Sequence, residues 1–380
     1  MRIAIFTDTY TPQINGVVTS IQTFRAELER LGHSVHIFAP AARGAPEEEN
    51  VHRIRSFTFL PYPEYRISVP MPKLIDEFEK IGADIIHVQS PVSVGATGIG
   101  LAKHFNLPVV GTFHTLLPEY MHYIVKGRLR KLFIAPARRF AWNWCTWFYN
   151  RCDVVVAPSE GIAKVLKGKG IKRPIRIIPT GLAPVMKASK KAAQTFRKKH
   201  DLKGKIILHV GRVTHEKNID AIIDSIEKLP DVTLAIASDG PYRSELETRV
   251  KKKAVANRVR FLGYLSKTDL QAAYAAADIF VCASKSETQG IVLLEAAVSG
   301  LPVVTLNAPV VSDFVQENKI GLVANENNFA EIMQRALADK KLRQRVKNRA
   351  SQIERKYRIE HCTKTLLEAY AVASLKRTKN

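Results

Sequence analysis

The apolar positions of the chain fall into short runs separated by polar or amphipathic stretches. RIAIFT (2–7) is followed by a polar loop, DTYTPQING, and an amphipathic stretch from about Val17 to Leu31. Gly32 ends that stretch and HSVHIFAP opens the next apolar run. The pattern predicts strand, helix, strand. It continues with ADIIHVQS as a strand, a helix over Gly95 to His104, and LPVVGTF as a strand. DVVVAPS and IRIIPTG read as strands around the helix GIAKVLKGKG. Apolar strands separated by helices imply a parallel sheet covered on both faces.

A second series begins near residue 204. GKIILHVGR, VTLAIASDG, VRFLGYL, DIFVCAS and LPVVTL are short apolar strands with helix-like segments between them. The basic stretch LAPVMKASKKAAQTFRKKHDLKG reads as a linker plus the first helix of this second series. The chain has 380 residues, long for one core and suited to two. The expected fold is therefore α/β, with two doubly wound Rossmann-like domains, residues 1–182 and 183–356, and a cleft between them. Residues 357–380 read as an amphipathic C-terminal helix with a basic tail, packing back on the first domain. Ligands of such sheets bind beyond the carboxyl ends of the strands.

Composition narrows this. No apolar run approaches the roughly 20 residues needed to span a bilayer. The N-terminal apolar stretch is short and Asp8 interrupts it, so it does not read as a signal peptide. A cytoplasmic protein is the expectation. Cys145, Cys152, Cys282 and Cys362 form no CxxC pair, which points to neither a disulfide framework nor a zinc site. The net charge of +23 implies an anionic partner: nucleic acid, an anionic lipid surface or a phosphorylated substrate.

Polar residues cluster just after several strands. Gly16, in NGVV, begins the first helix, where a glycine lets backbone amides approach a phosphate or sugar. His114, in TFHT, stands where an imidazole can bond a sugar hydroxyl. Arg212 and Lys217, in GRVTHEKN, lie in a loop before a helix expected to begin at Asn218; two cations there can neutralise a diphosphate. Taken singly, each has a plain alternative as a turn glycine, a loop histidine or surface charge.

SETQGIVLLE (286–295) is harder to dismiss. Glu295 lies among Ile291, Val292, Leu293, Leu294, Ala296 and Ala297, in what reads as a mostly buried helix. A lone charge there is costly unless something pairs with it. If Gly290 starts this helix, the amides of Gly290, Ile291 and Val292 can bind an anion. Glu287 then precedes the helix, and Glu295 lies five residues past Gly290, about 7.5 Å along the axis. Carboxylates are good partners for sugar diols, so both acids are explained if they flank a sugar nucleotide.

The order and spacing of GRVTHEKN, SDGPYRSELE, VRFLGYL, the Glu287/Glu295 pair and SGLPVV resemble the retaining glycosyltransferases of family 4, which have the GT-B fold. The resemblance covers essentially the whole chain. It implies that Glu287 contacts the donor hexose, Glu295 the ribose hydroxyls, and Arg212 and Lys217 the diphosphate. It places Gly16 at a phosphate-facing loop, His114 beside the sugar, and Gly263 and Tyr264 at the nucleobase. It also implies that no metal is needed, which fits the lack of a DxD-type carboxylate pair beside a strand end. The sequence departs from the family pattern at Ser238, the usual first glycine of GDGP. It departs again at Leu182 and Ala183, where an acidic residue is usual, and at Gln289, often aromatic.

Leu116 to Arg151 holds all three tryptophans (Trp142, Trp144, Trp147) interleaved with cations. Lys126, Arg128, Arg130 and Lys131, with Phe133 and Ile134, suit an anionic membrane interface. The plain alternative has the aromatics in the core and the cations solvated. TFHTLLPEYMHYI followed by basic residues also resembles membrane-associated synthases that glucosylate diacylglycerol. That resemblance implies a UDP-glucose donor, a glycerolipid acceptor, and peripheral attachment to the inner face of the cell membrane. The rival readings are a transferase acting on a soluble acceptor, a mannosyltransferase, a sugar-nucleotide epimerase, and a basic nucleic-acid-binding protein. The last lacks any nucleic-acid-binding motif. The sequence sets no oligomeric state.

Overall fold

The computed structural model of the chain describes residues 1–60, 65–69, 71–125, 130–183 and 188–377, with backbone alone at 122, 123, 130 and 131. The chain divides into two compact units, Met1–Ala183 with Arg358–Asn380, and Pro184–Tyr357.

Unit 1 contains β1 (Arg2–Phe6), β2 (Ser34–Pro40), β3 (Val51–Ile54), β4 (Ser56–Thr58), β5 (Arg66–Ser68), β6 (Ile85–Val88), β7 (Val109–Thr112), β8 (Val154–Ala157) and β9 (Ile175–Ile177). Seven of these form one parallel sheet in the order β3-β2-β1-β6-β7-β8-β9, while β4 and β5 make a separate antiparallel ribbon. The central strands are buried along their whole length, as helices on both faces require. The helices are α1 (Gly16–Arg30), α2 (Lys73–Ile81), α3 (Ser93–His104), the single turn α4 (Met121–Ile124), α5 (Arg130–Tyr149) and α6 (Glu160–Gly168). Asn15 starts α1 by accepting the amides of Val17 and Val18, each at 3.0 Å. Val18, Ile21 and Leu28 then give the helix one buried face.

Unit 2 repeats the design. Its sheet has the order β12-β11-β10-β13-β14-β15, with β10 (Lys205–Val210), β11 (Val232–Ala237), β12 (Val259–Gly263), β13 (Ile279–Cys282), β14 (Val303–Leu306) and β15 (Gly321–Ala324). Its helices are α7 (Lys190–Lys199), α8 (Ile219–Ile226), α9 (Arg243–Lys252), α10 (Lys267–Ala276), α11 (Ile291–Val298), α12 (Pro309–Asn318), α13 (Phe329–Ala338) and α14 (Lys340–Lys356). Both sheets reverse strand order once, between β1 and β6 and between β10 and β13. Loops at such a reversal diverge and leave a crevice at the carboxyl edge.

The last helix, α15 (Ile359–Arg377), belongs to unit 1. Leu366, Ala369, Tyr370 and Ala373 enter the same core as Ile5, Val110 and Val154. The Tyr370 hydroxyl meets Nδ1 of His87 at 2.8 Å, and Thr112 Oγ1 meets Nε2 at 2.7 Å. Burial pushes the His87 pKa down to about 3, so the ring is a neutral crosslink between helix and sheet.

At the end of β11, Ser238 stands at φ +114°, a region that L side chains rarely adopt. Its amide bonds the Gly263 carbonyl at 2.7 Å, which holds it there. Relief of this strain exceeds the extra unfolded-state entropy of a glycine. Ser238→Gly should therefore stabilise the protein by about 1 kcal/mol, read as a rise in Tm of roughly 2–4 °C.

Candidate active site

In unit 2 the candidate residues gather at the carboxyl edge around the β10/β13 reversal. After β10 the chain runs through Gly211, Arg212 and a 3-10 turn, His215–Lys217. Asn218 follows in the left-handed conformation (φ 52°), and α8 starts at Ile219. After β13 the chain reaches Glu287, and Lys217 Nζ bonds its Oε1 at 2.5 Å. The loop reversal thus joins groups 70 residues apart. Burial alone would lift the Glu287 carboxyl; the Lys217 ammonium outweighs it and holds it below the usual carboxylate range. Burial would lower Lys217, and Glu287 more than offsets it, so the pair is ionised. Beneath it lies His209, whose Nδ1 donates to the Val281 carbonyl at 3.0 Å.

Gly290 does not start α11 but caps it at φ 74°, so the helix begins at Ile291. Only glycine serves here: a Cβ would also come within 2.7 Å of Leu293 Cδ1. The effect is to aim the first-turn amides of α11, at Ile291 and Val292, along the same edge as Lys217. Gln289 is buried beside the cap. Glu295, four residues into the helix, accepts a hydrogen bond from the Tyr274 hydroxyl at 2.7 Å. That hydroxyl is the partner a buried acid needs, yet burial still raises the Glu295 carboxyl above its ordinary value. Gly263 ends β12, and the half-exposed Tyr264 follows it on the same edge.

In unit 1 the strand reversal is bridged by Asp8, which follows β1 and is fully buried. Its Oδ1 accepts from Ser93 Oγ (2.7 Å) and the Val94 amide (2.8 Å), and its Oδ2 from Ser90 Oγ (2.6 Å) and the Gly95 amide (3.3 Å). Asp8 therefore caps α3 from another strand and clamps the β6–α3 loop. Gln89 of that loop holds His114 by Oε1···Nε2 at 2.6 Å. Burial pushes the His114 pKa down to about 4, leaving a neutral imidazole. Gly16 is the first residue of α1, beside the Asn15 cap.

Of the interface residues, Lys126 and Arg128 lie outside the described residues. Arg130 and Lys131 open α5, where Phe133 is exposed and Ile134 partly so. The tryptophans divide between the two readings. Trp142 stacks on the buried Phe113, and Trp144 stacks on Trp147. Trp144 Nε1 donates to the Pro91 carbonyl at 2.5 Å, while Trp147 and Phe140 reach solvent. Arg138 is partnered by Glu119 at 2.8 Å, so not every cation of the helix is available to a surface. Among the described residues no helix is long and apolar enough to cross a membrane, and no three His, Cys, Asp or Glu side chains are arranged to hold a metal ion.

Sequence reasoning passed over four groups at these sites: Asp8, Gln89, His209 and Tyr274. Asp8 and Gln89 follow strands and could have been found by the rule applied to the others. His209 lies inside a strand and Tyr274 on a helix, with no local signal.

Two parallel, doubly wound units of this kind are the GT-B architecture. The fold matches sucrose-phosphate synthase of Thermosynechococcus elongatus (TM-score 0.79, 22% identity, 97% of this chain and 98% of that one). It also matches Anabaena HepE solved with UDP-glucose (TM-score 0.78, 18% identity, 98% and 99%). Residues 14–184 match the family description Glycosyltransferase Family 4, and residues 190–353 match Glycosyl transferases group 1. An alpha-monoglucosyldiacylglycerol synthase of Streptococcus pneumoniae is 33% identical over 89% of this chain and 78% of its own length. A GDP-mannose-dependent alpha-mannosyltransferase of Mycolicibacterium smegmatis is 30% identical over 87% of this chain and 86% of its own. The chain belongs to glycosyltransferase family 4 and is a glycosyltransferase.

Proposed function

We propose that the protein transfers glucose from UDP-glucose to a membrane glycerolipid such as diacylglycerol, with retention at the anomeric carbon and without a metal ion. The observation that carries the donor side is the Lys217–Glu287 pair, placed at a strand reversal beside the N-terminus of α11. On donor entry Lys217 and Arg212 take the diphosphate, helped by the amides of Ile291 and Val292 beyond Gly290. Glu287, released from Lys217, takes hexose hydroxyls. Glu295, steadied by Tyr274, takes the ribose, and Gly263 and Tyr264 border the base, with Gln289 behind the cap. The acceptor hydroxyl attacks the anomeric carbon on the face from which the nucleoside diphosphate departs, and the leaving phosphate takes its proton. The two cations and the helix terminus stabilise the departing charge in a partly desolvated site. Unit 1 supplies the acceptor side, with Gly16 at the first loop and His114 as a neutral hydrogen-bonding ring.

The glycerolipid acceptor draws support from the synthases of this name at 33% and 27% identity, and from the cations and exposed aromatics of α5. In this reading α5, with Lys126 and Arg128, rests on an anionic bilayer at the inner face of the membrane. The GDP-mannose-dependent relatives at 27–30% identity favour one second reading, a mannosyl donor.

Incubation with radiolabelled UDP-glucose or GDP-mannose, lipid extract and EDTA, followed by organic extraction, tests both. Label from UDP-glucose in the organic phase is expected, undiminished by EDTA. Label from GDP-mannose alone would transfer the assignment to the second reading. Label confined to water-soluble product would overturn the lipid acceptor.

A further inference from the structure

The ribbon β4–β5 is amphipathic in an inverted sense. Ser56 pairs with Ser68, Phe57 with Ile67 and Thr58 with Arg66. Two further bonds extend the ladder, Phe59 N to Tyr65 O at 2.9 Å and Val69 N to Arg55 O at 3.0 Å. Side chains alternate along a strand, so one face carries Arg55, Phe57, Phe59, Tyr65, Ile67 and Val69. The other carries Ser56, Thr58, Arg66 and Ser68. The polar face is the one fastened to the protein. Ser56 Oγ donates to the Ala41 carbonyl at 2.5 Å, and the backbone amide of the buried Ser68 donates to Ser93 Oγ at 2.9 Å; Arg66 Nε closes the ribbon on itself at Ser56 Oγ (2.8 Å). On the polar face Ser68 is buried, Ser56 and Arg66 are half-buried and Thr58 is exposed; on the apolar face Phe59, Tyr65 and Ile67 are half-buried, and the part that faces solvent is Arg55, Phe57 (53% exposed) and Val69 (48%). A sheet in water shows the opposite arrangement, apolar face inward.

We infer that this apolar face is a second bilayer-inserting surface, which works with α5 to seat the protein over its acceptor. The inference rests on the glycerolipid reading above. Three observations favour a bilayer. The ribbon is anchored at Ser93, the first residue of α3, and α5 at Pro91 of the β6–α3 loop, through Trp144, so both are tied next to Gln89, the residue of that loop that holds His114. The exposed residues of α5 are of matching chemistry: Phe133, Phe140 and Trp147 beside Arg139. Arg55, exposed at the rim of the apolar face, can lay its stem along hydrocarbon while its charge meets lipid phosphate. The overall charge of +23 draws the same kind of surface.

The two elements differ in salt response. Attraction through cations is screened by salt, whereas insertion of apolar side chains is not. Vesicles with about 30 mol % anionic phospholipid, at low salt and at about 0.5 M NaCl, separate them. Wild type should retain binding at high salt. Phe57→Asp with Val69→Asp should lower high-salt partition at least tenfold, following the roughly 1.5–3 kcal/mol of burying one such side chain. Turnover on acceptor in vesicles should fall in parallel, turnover on acceptor in detergent micelles should stay within about twofold, and Tm should not move. Equal vesicle partition by variant and wild type overturns the inference. So does an equal loss on micelles and vesicles, or a loss of self-association with vesicle binding intact, which would make the face a contact between copies. Should wild type glycosylate no lipid in either format, the glycerolipid reading fails, and the partition comparison still decides the ribbon.

Discussion

Lys217→Ala should cut turnover by roughly two to three orders of magnitude, the usual loss when one preorganised stabiliser of a departing charge is removed. Stability should fall far less, by about 1–2 kcal/mol, because the stranded Glu287 can take up a proton rather than remain a bare buried charge. The two effects separate with pH. Glu287 titrates below its ordinary value in the wild type, so the pair's stabilisation is complete above the ordinary carboxylate range. It disappears as pH falls through the lowered value. Melting temperatures of wild type and variant should therefore converge on acidification from pH 7, while the turnover gap at pH 7 stays wide. Adding Glu287→Ala to Lys217→Ala should recover stability and leave turnover low. Turnover like the wild type's in Lys217→Ala would remove the diphosphate role.

Asp8→Asn should cost about 2–3 kcal/mol, or roughly 5–10 °C in Tm. The substitution keeps the size of the side chain but replaces an acceptor oxygen with an NH2 group. That group faces Ser93 Oγ and the Val94 amide, or Ser90 Oγ and the Gly95 amide, all of which donate to Asp8. The N-terminus of α3 also loses its counter-charge. The β6–α3 loop should loosen, and with it the Gln89 contact that holds His114. Turnover should fall as well, more than in a surface variant of equal Tm. A Tm within 1 °C of wild type, on the order of a few tenths of a kcal/mol, would show that the loop needs no clamp.

The strands that the sequence makes plain are the central ones: β1, β2, β6, β7 and β8 in one unit, β10, β11, β13 and β14 in the other. They are near-continuous runs of Val, Ile, Leu and Ala because both faces are covered. β3 (VHRI), the ribbon strands and β15 escape that reading. β3 and β15 are sheet edges, short and half-exposed, and so under weaker demand for apolar residues. The ribbon follows an alternation turned inside out, which reads as loop. The helix start expected at Gly290 is off by one residue, because that position takes the left-handed conformation to turn the chain, which neither propensity nor periodicity registers. Glu295 is the instructive case at the site. The sequence demands a partner for a buried acid and cannot say which; Tyr274, on a separate helix, is supplied only by packing.

The return of α15 to unit 1 fixes an order of assembly during synthesis. Pro184–Tyr357 is contiguous and is synthesised before α15, so its strands can pair without any later segment. Unit 1 begins first but must wait with its β7–β8 face bare until Tyr370 arrives to meet His87. For the time it takes to translate the middle of the chain, the earliest-made half is an open-sided precursor.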